Sequence, residues 1–295
     1  MILTGNINKS LADLRLDDAV SKLFDNVSKS EIRRIIDLGG CTVNKVMTRV
    51  ASKPLQEGDE VTIGLMEKER FIDVKYEKTD LLYEDNNFLA LCKAPGINSQ
   101  RTPYQLKGTV EYAVGMYLKQ LGVKEPVRVV HRLDRGTSGV MFFPKNKQAA
   151  TYISASLKNG EVTKTYFAIV LNVPQKTEWQ VDKPIGKLNK FRYGVTNPGR
   201  KAITNFKTIS SSENGALIQV TPITGRTHQI RVHLAHSGYP IVGDRIYGGA
   251  EASRMMLHCY SMSFIDNSGK QIKAIAPPDQ LFIDTCSKLN LELTF

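Results

Sequence analysis

The sequence is poor in cysteine and has no long apolar run. Four cysteines in 295 residues (Cys41, Cys92, Cys259, Cys286) lie far apart, with no CxxC pair. That excludes a disulfide-stapled scaffold and a paired-cysteine zinc site, and it suits a reduced, cytoplasmic protein. No stretch approaches the ~18 apolar residues of a membrane helix, and MILTGNINKS lacks a signal-type apolar run, so no membrane partner is expected. Internal repeats and low-complexity segments are missing. So are the phosphate-cradling patterns G-x-x-x-x-G-K-[ST] and G-x-G-x-x-G, and the zinc-protease pattern H-E-x-x-H.

What is present is positive charge, unevenly spread. Forty Lys/Arg stand against 29 Asp/Glu, a net charge of +11. Residues 1–75 carry 12 of each sign, so the whole excess lies in residues 76–295. Such a balance points to an acidic polymer as partner, and nucleic acid is the foremost example. Hydrophobic residues make up 41% of the chain, enough for packed cores in one large domain or two ordinary ones.

The first part reads as helix, helix, then short strands. RLDDAVSKLF (15–24) places Leu16, Val20, Leu23 and Phe24 on one helical face, with Asp17 as a candidate N-cap. In SKSEIRRIIDLGG, Ser28 and Glu31 have capping-box spacing and Gly39-Gly40 marks the stop. Ile32, Ile35 and Ile36 point inward, leaving Lys29, Arg33 and Arg34 around the other side. CTVNKV and GDEVTIGL suit strands. The charged stretch LMEKERFIDVKYEKTD (65–80) suits a linker. Beyond it, NFLALCKA, GVMFFPK, KTYFAIVLN, AITNFKTIS, ALIQVTPIT and MMLHCYSMSF suit strands, with helices near 108–121 and 147–158. This mixture predicts an α+β domain.

Chemistry concentrates in two segments. HRLDRGTSGV (131–140) sets one acid, Asp134, among Arg132 and Arg135. It is no kinase loop, because Leu133 splits H-R-D, and no hydrolase elbow, because G-x-S-x-G is not met; Ser138 is expected to serve the turn instead. A free aspartate titrates near pH 4. Burial raises that by up to about 3–5 units, and a guanidinium about 4 Å away opposes the rise by a comparable amount. Asp134 is therefore a candidate buried, ionised nucleophile if a cation faces it. GRTHQIRVHLAHSGYPIVGDRIYGG (225–249) contains His228, His233 and His236, but no carboxylate lies within the histidine run, so packing is favoured over metal binding. Arg226 and Arg231 suit either phosphate or a buried carboxylate. Tyr166, in VTKTYFAIV, suits a core strand or base stacking.

Taken together, these segments resemble one family. The order helix, basic helix, Gly-Gly, V-N-K strand and G-D turn over residues 13–64 resembles the small RNA-binding domain named after ribosomal protein S-four. HRLDRGTSGV, KTYFAIV and GRTHQIRVHLAHSGYPIVGDRIYG resemble, in order, the three main motifs of the RluA-type RNA pseudouridine synthases. The resemblance implies a small α/β RNA-binding domain at 1–67, a linker at 68–79 and a catalytic domain at 80–295. The latter would be built on a large, mainly antiparallel sheet with flanking helices and a central cleft. It implies a cofactor-free isomerase that turns a uridine of structured RNA into pseudouridine.

By position, the family's essential aspartate corresponds to Asp134, and a tyrosine that stacks on the base and can help remove its carbon-five proton corresponds to Tyr166. The arginine that pairs with the aspartate corresponds to Arg226. Arg132 corresponds to a residue that fills the space left by the flipped uridine. His131, Arg135, Gln229 and Arg231, with Lys29, Arg33 and Arg34 of the basic helix, are candidate substrate contacts. One departure stands in CKAPGIN, where Pro95 comes one place later than in the family's Lys-Pro-x-Gly. The expected target is large-subunit ribosomal RNA, with transfer RNA second, and the expected state is a monomer. The competing readings are a non-catalytic RNA-binding or ribosome-assembly factor and a metal hydrolase built on the three histidines.

Overall fold

A computed structural model describes residues 2–64, 74–103, 105–189 and 192–293. The chain forms two compact units. One comprises Met1–Lys75 with Gln100–Tyr117, the other Tyr76–Ser99 with Leu118–Phe295. Residues 68–73, half of the expected linker, lie outside the described residues.

In the first unit, α1 (Leu16–Leu23) and α2 (Lys29–Asp37) cover a four-stranded antiparallel sheet of order β1-β4-β2-β3: Ile2–Asn6, Glu60–Gly64, Cys41–Val43 and Val46–Thr48. The expected capping box is present. The Ser28 hydroxyl accepts from the Glu31 amide, and the Glu31 carboxylate accepts from the Ser28 amide. Asn44 and Lys45 both take positive φ, the conformation a two-residue hairpin turn needs. Leu16, Val20, Ile32, Ile36, Val61 and Ile63 form the core, and Leu106, from the later segment, packs against it. Strand β1 has no counterpart among the sequence expectations: its residues alternate exposed and half-buried on a sheet edge, which leaves little apolar signal.

Asp17 is not the cap of α1. That position belongs to Arg15, and Asp17 lies within the first turn, fully buried. Its carboxylate accepts from Arg15 (Nε–Oδ1 3.0 Å) and from Arg33, and these bonds, the Arg15 one foremost, hold its pKa down to about 2. Both guanidiniums stay about half exposed, so the buried acid fixes two cations at the surface.

The second unit is built on a nine-stranded sheet. Its order is β5-β6-β7-β14-β8-β13-β12-β9, with β15 also pairing β14. The strands are Leu81–Glu84 (β5), Phe88–Lys93 (β6), Ser138–Pro144 (β7), Thr163–Val170 (β8), Glu178–Asp182 (β9), Ile203–Ser212 (β12), Gly215–Pro222 (β13), Leu257–Ile265 (β14) and Gln271–Ile275 (β15). Ile185–Lys187 (β10) and Tyr193–Val195 (β11) form a separate hairpin. Every pairing is antiparallel except β7 with β14. There the backbones approach so closely that a Cβ on Gly139 would lie 2.1 Å from the Cys259 carbonyl oxygen, and Gly139 has φ +115°. Only glycine fits both conditions.

Helix α3 spans Val110–Gln120. Helix α4 (Lys147–Asn159) is capped by Asn146 and stopped by Gly160, and α5 (Gln229–His236) and α6 (Gln280–Lys288) complete the second unit. In the core, Phe264 meets Phe88 and Phe142 edge-on, with ring centroids 5.1 and 5.2 Å apart.

Ser138 and His258 form a buried pair within this sheet. His258 Nε2 donates to the Ala276 carbonyl at 2.7 Å, so its Nδ1 accepts from the Ser138 hydroxyl at 2.8 Å. Both residues are almost wholly buried, and the serine opens strand β7 just after the turn. Burial lowers the His258 pKa to about 4. The unfolded chain therefore takes up this proton first, near pH 6.5. The stability contribution is full above that pH and is lost as pH falls toward about 4. Lowering the pH from 7 to 5 should cost about 2 kcal/mol at this group. Urea unfolding followed by Trp179, the chain's single tryptophan and a member of this unit, should show the midpoint falling, and His258→Gln should flatten that dependence.

Candidate active site

Asp134 lies in the loop leading into β7, and a dense set of backbone contacts holds it there. The Ser99 hydroxyl donates to the Leu133 carbonyl (2.6 Å) and accepts from the Leu133 amide (3.0 Å). The Arg135 carbonyl accepts from the Gly96 amide (2.7 Å) and from Lys93 Nζ (3.2 Å). Lys93 is fully buried, and its ammonium also donates to the Ala94 and Ile97 carbonyls at 2.9 Å each. Three acceptors match its three protons, while burial pulls its pKa down to about 7. The atypical CKAPGINS turn is thus the brace of the Asp134 loop.

The cation that faces Asp134 is Arg231, not Arg226. Arg231 Nη1 donates to Asp134 Oδ2 at 3.0 Å, and the Asp134 side chain is 22% exposed. The rest of the guanidinium forms a two-pronged bridge to Asp244, Nε–Oδ2 2.7 Å and Nη2–Oδ1 2.8 Å. Asp244 is 1% exposed at its side chain, and the Tyr247 ring lies under the guanidinium at 4.9 Å. Burial works to lower the Arg231 pKa, but the bonds to Asp244 and Asp134 outweigh it and leave the pKa raised. Arg226 turns elsewhere: its Nε donates to the Lys201 carbonyl at 2.9 Å. The physical reason is helical phase. Arg226 precedes α5, whereas Arg231 and the N-terminal cap His228 are three residues apart and share one face of it. That face carries both toward Asp134, with His228 Nε2 at 3.7 Å from Oδ2.

The other expected site residues divide. Arg132 is exposed and donates to the Thr227 hydroxyl (3.2 Å). Arg135 is exposed and donates to the Gly96 carbonyl (2.8 Å). His131 and Gln229 turn to partners within the fold. His131 Nε2 accepts from the Phe142 amide (2.9 Å), and burial drives its pKa down to about 3. Gln229 is buried, with Oε1 accepting from Thr224 and the Arg226 amide and Nε2 donating to Ile203 and Thr204. Its polar atoms are spent on starting α5.

Tyr166 is buried on β8 opposite Cys259 of β14. Burial, then the Cys259 thiol and Asp134, push its pKa well above that of a free phenol. The resting side chain is therefore a neutral phenol, suited to packing on a base. In the first unit, Lys29 pairs with Asp18, Arg33 with Asp17, and Arg34 is exposed. The three histidines do not converge: His233 is committed to Thr204 (2.9 Å) and the Lys183 carbonyl (3.0 Å). Among the described residues no group of three His, Cys, Asp or Glu side chains could hold a metal.

Sequence reasoning missed Asp244, Tyr247 and the site role of His228. All three stand inside the quoted 225–249 segment, but no spacing rule ties an acid thirteen residues after an arginine to the same guanidinium.

Residues 87–236 match the RNA pseudouridylate synthase family. The chain belongs to it. Residues 14–61 match the S-four domain. Among relatives, the ribosomal large subunit pseudouridine synthase C of Buchnera aphidicola is 32% identical over 94% of this chain and 94% of its own length. The ribosomal large subunit pseudouridine synthase D of Haemophilus ducreyi is 29% identical over 84% of this chain and 77% of its own. The solved structure of human RNA Pseudouridylate Synthase Domain Containing 4 superposes with a TM-score of 0.63 at 23% identity, over 73% of this chain and 94% of that one. The synthase is thus an isomerase acting on RNA, with an S-four domain in front of a pseudouridine synthase fold. Among the described residues no helix is long and apolar enough to cross a membrane.

Proposed function

We propose that this synthase isomerises uridine in large-subunit ribosomal RNA and that Asp134 is the carboxylate that does so. The observation that carries the catalytic assignment is the Arg231 guanidinium, bound at once to Asp134 and to buried Asp244. It presents one acid, fixed and partly open, with a cation behind it. The relatives' names and the S-four domain support the ribosomal target. Free cysteines suit a cytoplasmic setting.

One acid suffices because no water attacks, unlike glycoside hydrolysis, where a second carboxyl is required. The bond from ribose to nitrogen one of the base breaks, and the same ribose carbon joins carbon five. The carbon-five proton leaves, and nitrogen one gains a proton, so nothing is consumed. Asp134 opens the sequence, either by attacking the ribose or by removing a ribose proton to give a glycal. Unstacking the target base costs a few kcal/mol, which phosphate contacts to the basic chain offset.

Arg33, held half exposed by Asp17, is one such contact in this reading. Arg33→Gln should weaken binding to ribosomal RNA fragments evenly across sequences and reduce the slope of log affinity against log salt by about 1. Filter binding between low and moderate salt checks it; an unchanged slope would remove Arg33 from the interface. The target itself is tested by mapping pseudouridines in cells lacking the gene, rescued with the wild type. Loss and return of a large-subunit site supports the reading. Loss confined to transfer RNA would redirect it.

A further inference from the structure

The surroundings of Asp134 contain a second polar chain that the pairing with Arg231 does not use. It begins at the β11 hairpin. The Tyr193 amide donates to the Tyr247 hydroxyl oxygen at 3.1 Å. That hydroxyl lies 2.8 Å from His228 Nδ1, and His228 Nε2 lies 3.7 Å from Asp134 Oδ2. The Tyr193 and Tyr247 rings both meet the imidazole edge-on, at 5.6 and 5.7 Å. His228 itself sits in the left-handed region, φ +57°, at the cap of α5. For a residue with a side chain that conformation is uncommon and costs energy. Nothing in helix formation requires a histidine there, and its side chain makes no capping bond.

We infer that His228 is a positioning residue for Asp134, held in one tautomer by Tyr247, so that a neutral N–H is aimed at the carboxylate. Both ends of the ring require the same tautomer. The Tyr247 oxygen already accepts from the Tyr193 amide, which favours giving its proton to Nδ1. Nε2 then carries the hydrogen, and it faces an acceptor that holds none. The partner on one imidazole nitrogen fixes the state of the other. At 3.7 Å the Nε2 contact is longer than a hydrogen bond, and such contacts commonly tighten when substrate enters. Asp134 would then be gripped from two sides, by a permanent cation on Arg231 and by a neutral donor on His228.

The neutral state matters. Burial lowers the His228 pKa, with Arg231 and Arg132 acting the same way and Asp134 and Asp244 opposing. On protonation Nδ1 would become a donor facing the Tyr247 hydroxyl, which would have to turn its own proton away and accept, reversing that link of the chain. Turnover should therefore fall as pH drops through the depressed His228 pKa. The inference rests on Asp134 being the reacting acid.

The test uses the full-length protein and total RNA from cells lacking the gene, grown with uridine tritiated at carbon five. Single-turnover tritium release is followed from pH 5 to 9 for the wild type, His228→Asn, Tyr247→Phe and Asp134→Asn. Asparagine tolerates positive φ but is too short to reach Asp134, and phenylalanine keeps the ring under Arg231. The rate for His228→Asn should fall about ten- to a hundredfold, as when an outer partner of an active-site histidine is removed. The acidic limb of the profile should vanish with it, while RNA affinity and melting temperature hold. Tyr247→Phe should lose rate in the same sense and move the limb.

A wild-type rate and limb in either variant would overturn the inference. So would a lowered rate with the limb unchanged, which is the mark of a merely structural side chain. Tritium release surviving in Asp134→Asn, or missing in the wild type, would instead strike the reading of Asp134 on which the inference depends.

Discussion

Asp134→Asn should abolish pseudouridine formation while RNA binding persists. The substitution keeps the side chain's size and its contact with Arg231 Nη1, since the amide oxygen still accepts. The backbone brace from Ser99, Gly96 and Lys93 is untouched. What disappears is the carboxylate that, in the proposed reading, attacks the ribose or takes its proton. A reaction that depends on a single acid has no second group to substitute for it, so the rate should fall by about four orders of magnitude or more. The basic residues that would meet phosphate are many and untouched by this change, so affinity should hold within about twofold. Single-turnover release of tritium from carbon five, with binding measured on the same RNA, checks both halves. Residual turnover within about a hundredfold of wild type would remove Asp134 from the chemistry.

Arg231→Met should be nearly as damaging, and for two reasons that separate experimentally. It strips Asp134 of its cation, with an expected rate loss of about 10²–10³ by the usual size of an electrostatic contact made at the reacting group. It also leaves Asp244 buried with no guanidinium, which costs about 3–5 kcal/mol of stability. Arg231→Lys should recover part of the stability but little of the rate, because an ammonium cannot hold Asp244 in a two-pronged bridge and reach Asp134 as well. Arg226→Ala should change the rate less than about tenfold, since its Nε bond to the Lys201 carbonyl is replaceable by water. Melting curves and turnover for the three variants give the ranking. A larger rate loss at Arg226 than at Arg231 would restore the pairing that motif position alone suggested.

The contrast between these two arginines shows how far the sequence reaches. Both lie in one motif, five residues apart, and residue type cannot choose between them. Helical phase can, but only once the start of α5 is known, and its cap is a histidine in a conformation that no capping rule anticipates. His131 and Gln229 show the same limit. Each sits in a motif rich in polar residues, yet His131 Nε2 accepts from a backbone amide and Gln229 bonds two backbone groups and two hydroxyls inside the fold.

By itself the sequence determined the parts that depend on local pattern. These include the Ser28–Glu31 cap, the inward isoleucines of α2, six of the strands in the large sheet and the loop that presents Asp134. These follow from periodicity, capping chemistry and turn residues, which act over a few positions. Edge strands such as β1, and the short strands β9 to β11, lacked enough apolar alternation to be read. Tertiary structure alone decided the partners of Asp134. Arg231 lies 97 residues away in the chain, and Asp244, Tyr247 and Tyr193 join only through the fold. A charge pair across such a distance leaves no periodic trace, because its geometry is set by where a helix face and a loop meet, not by either segment alone.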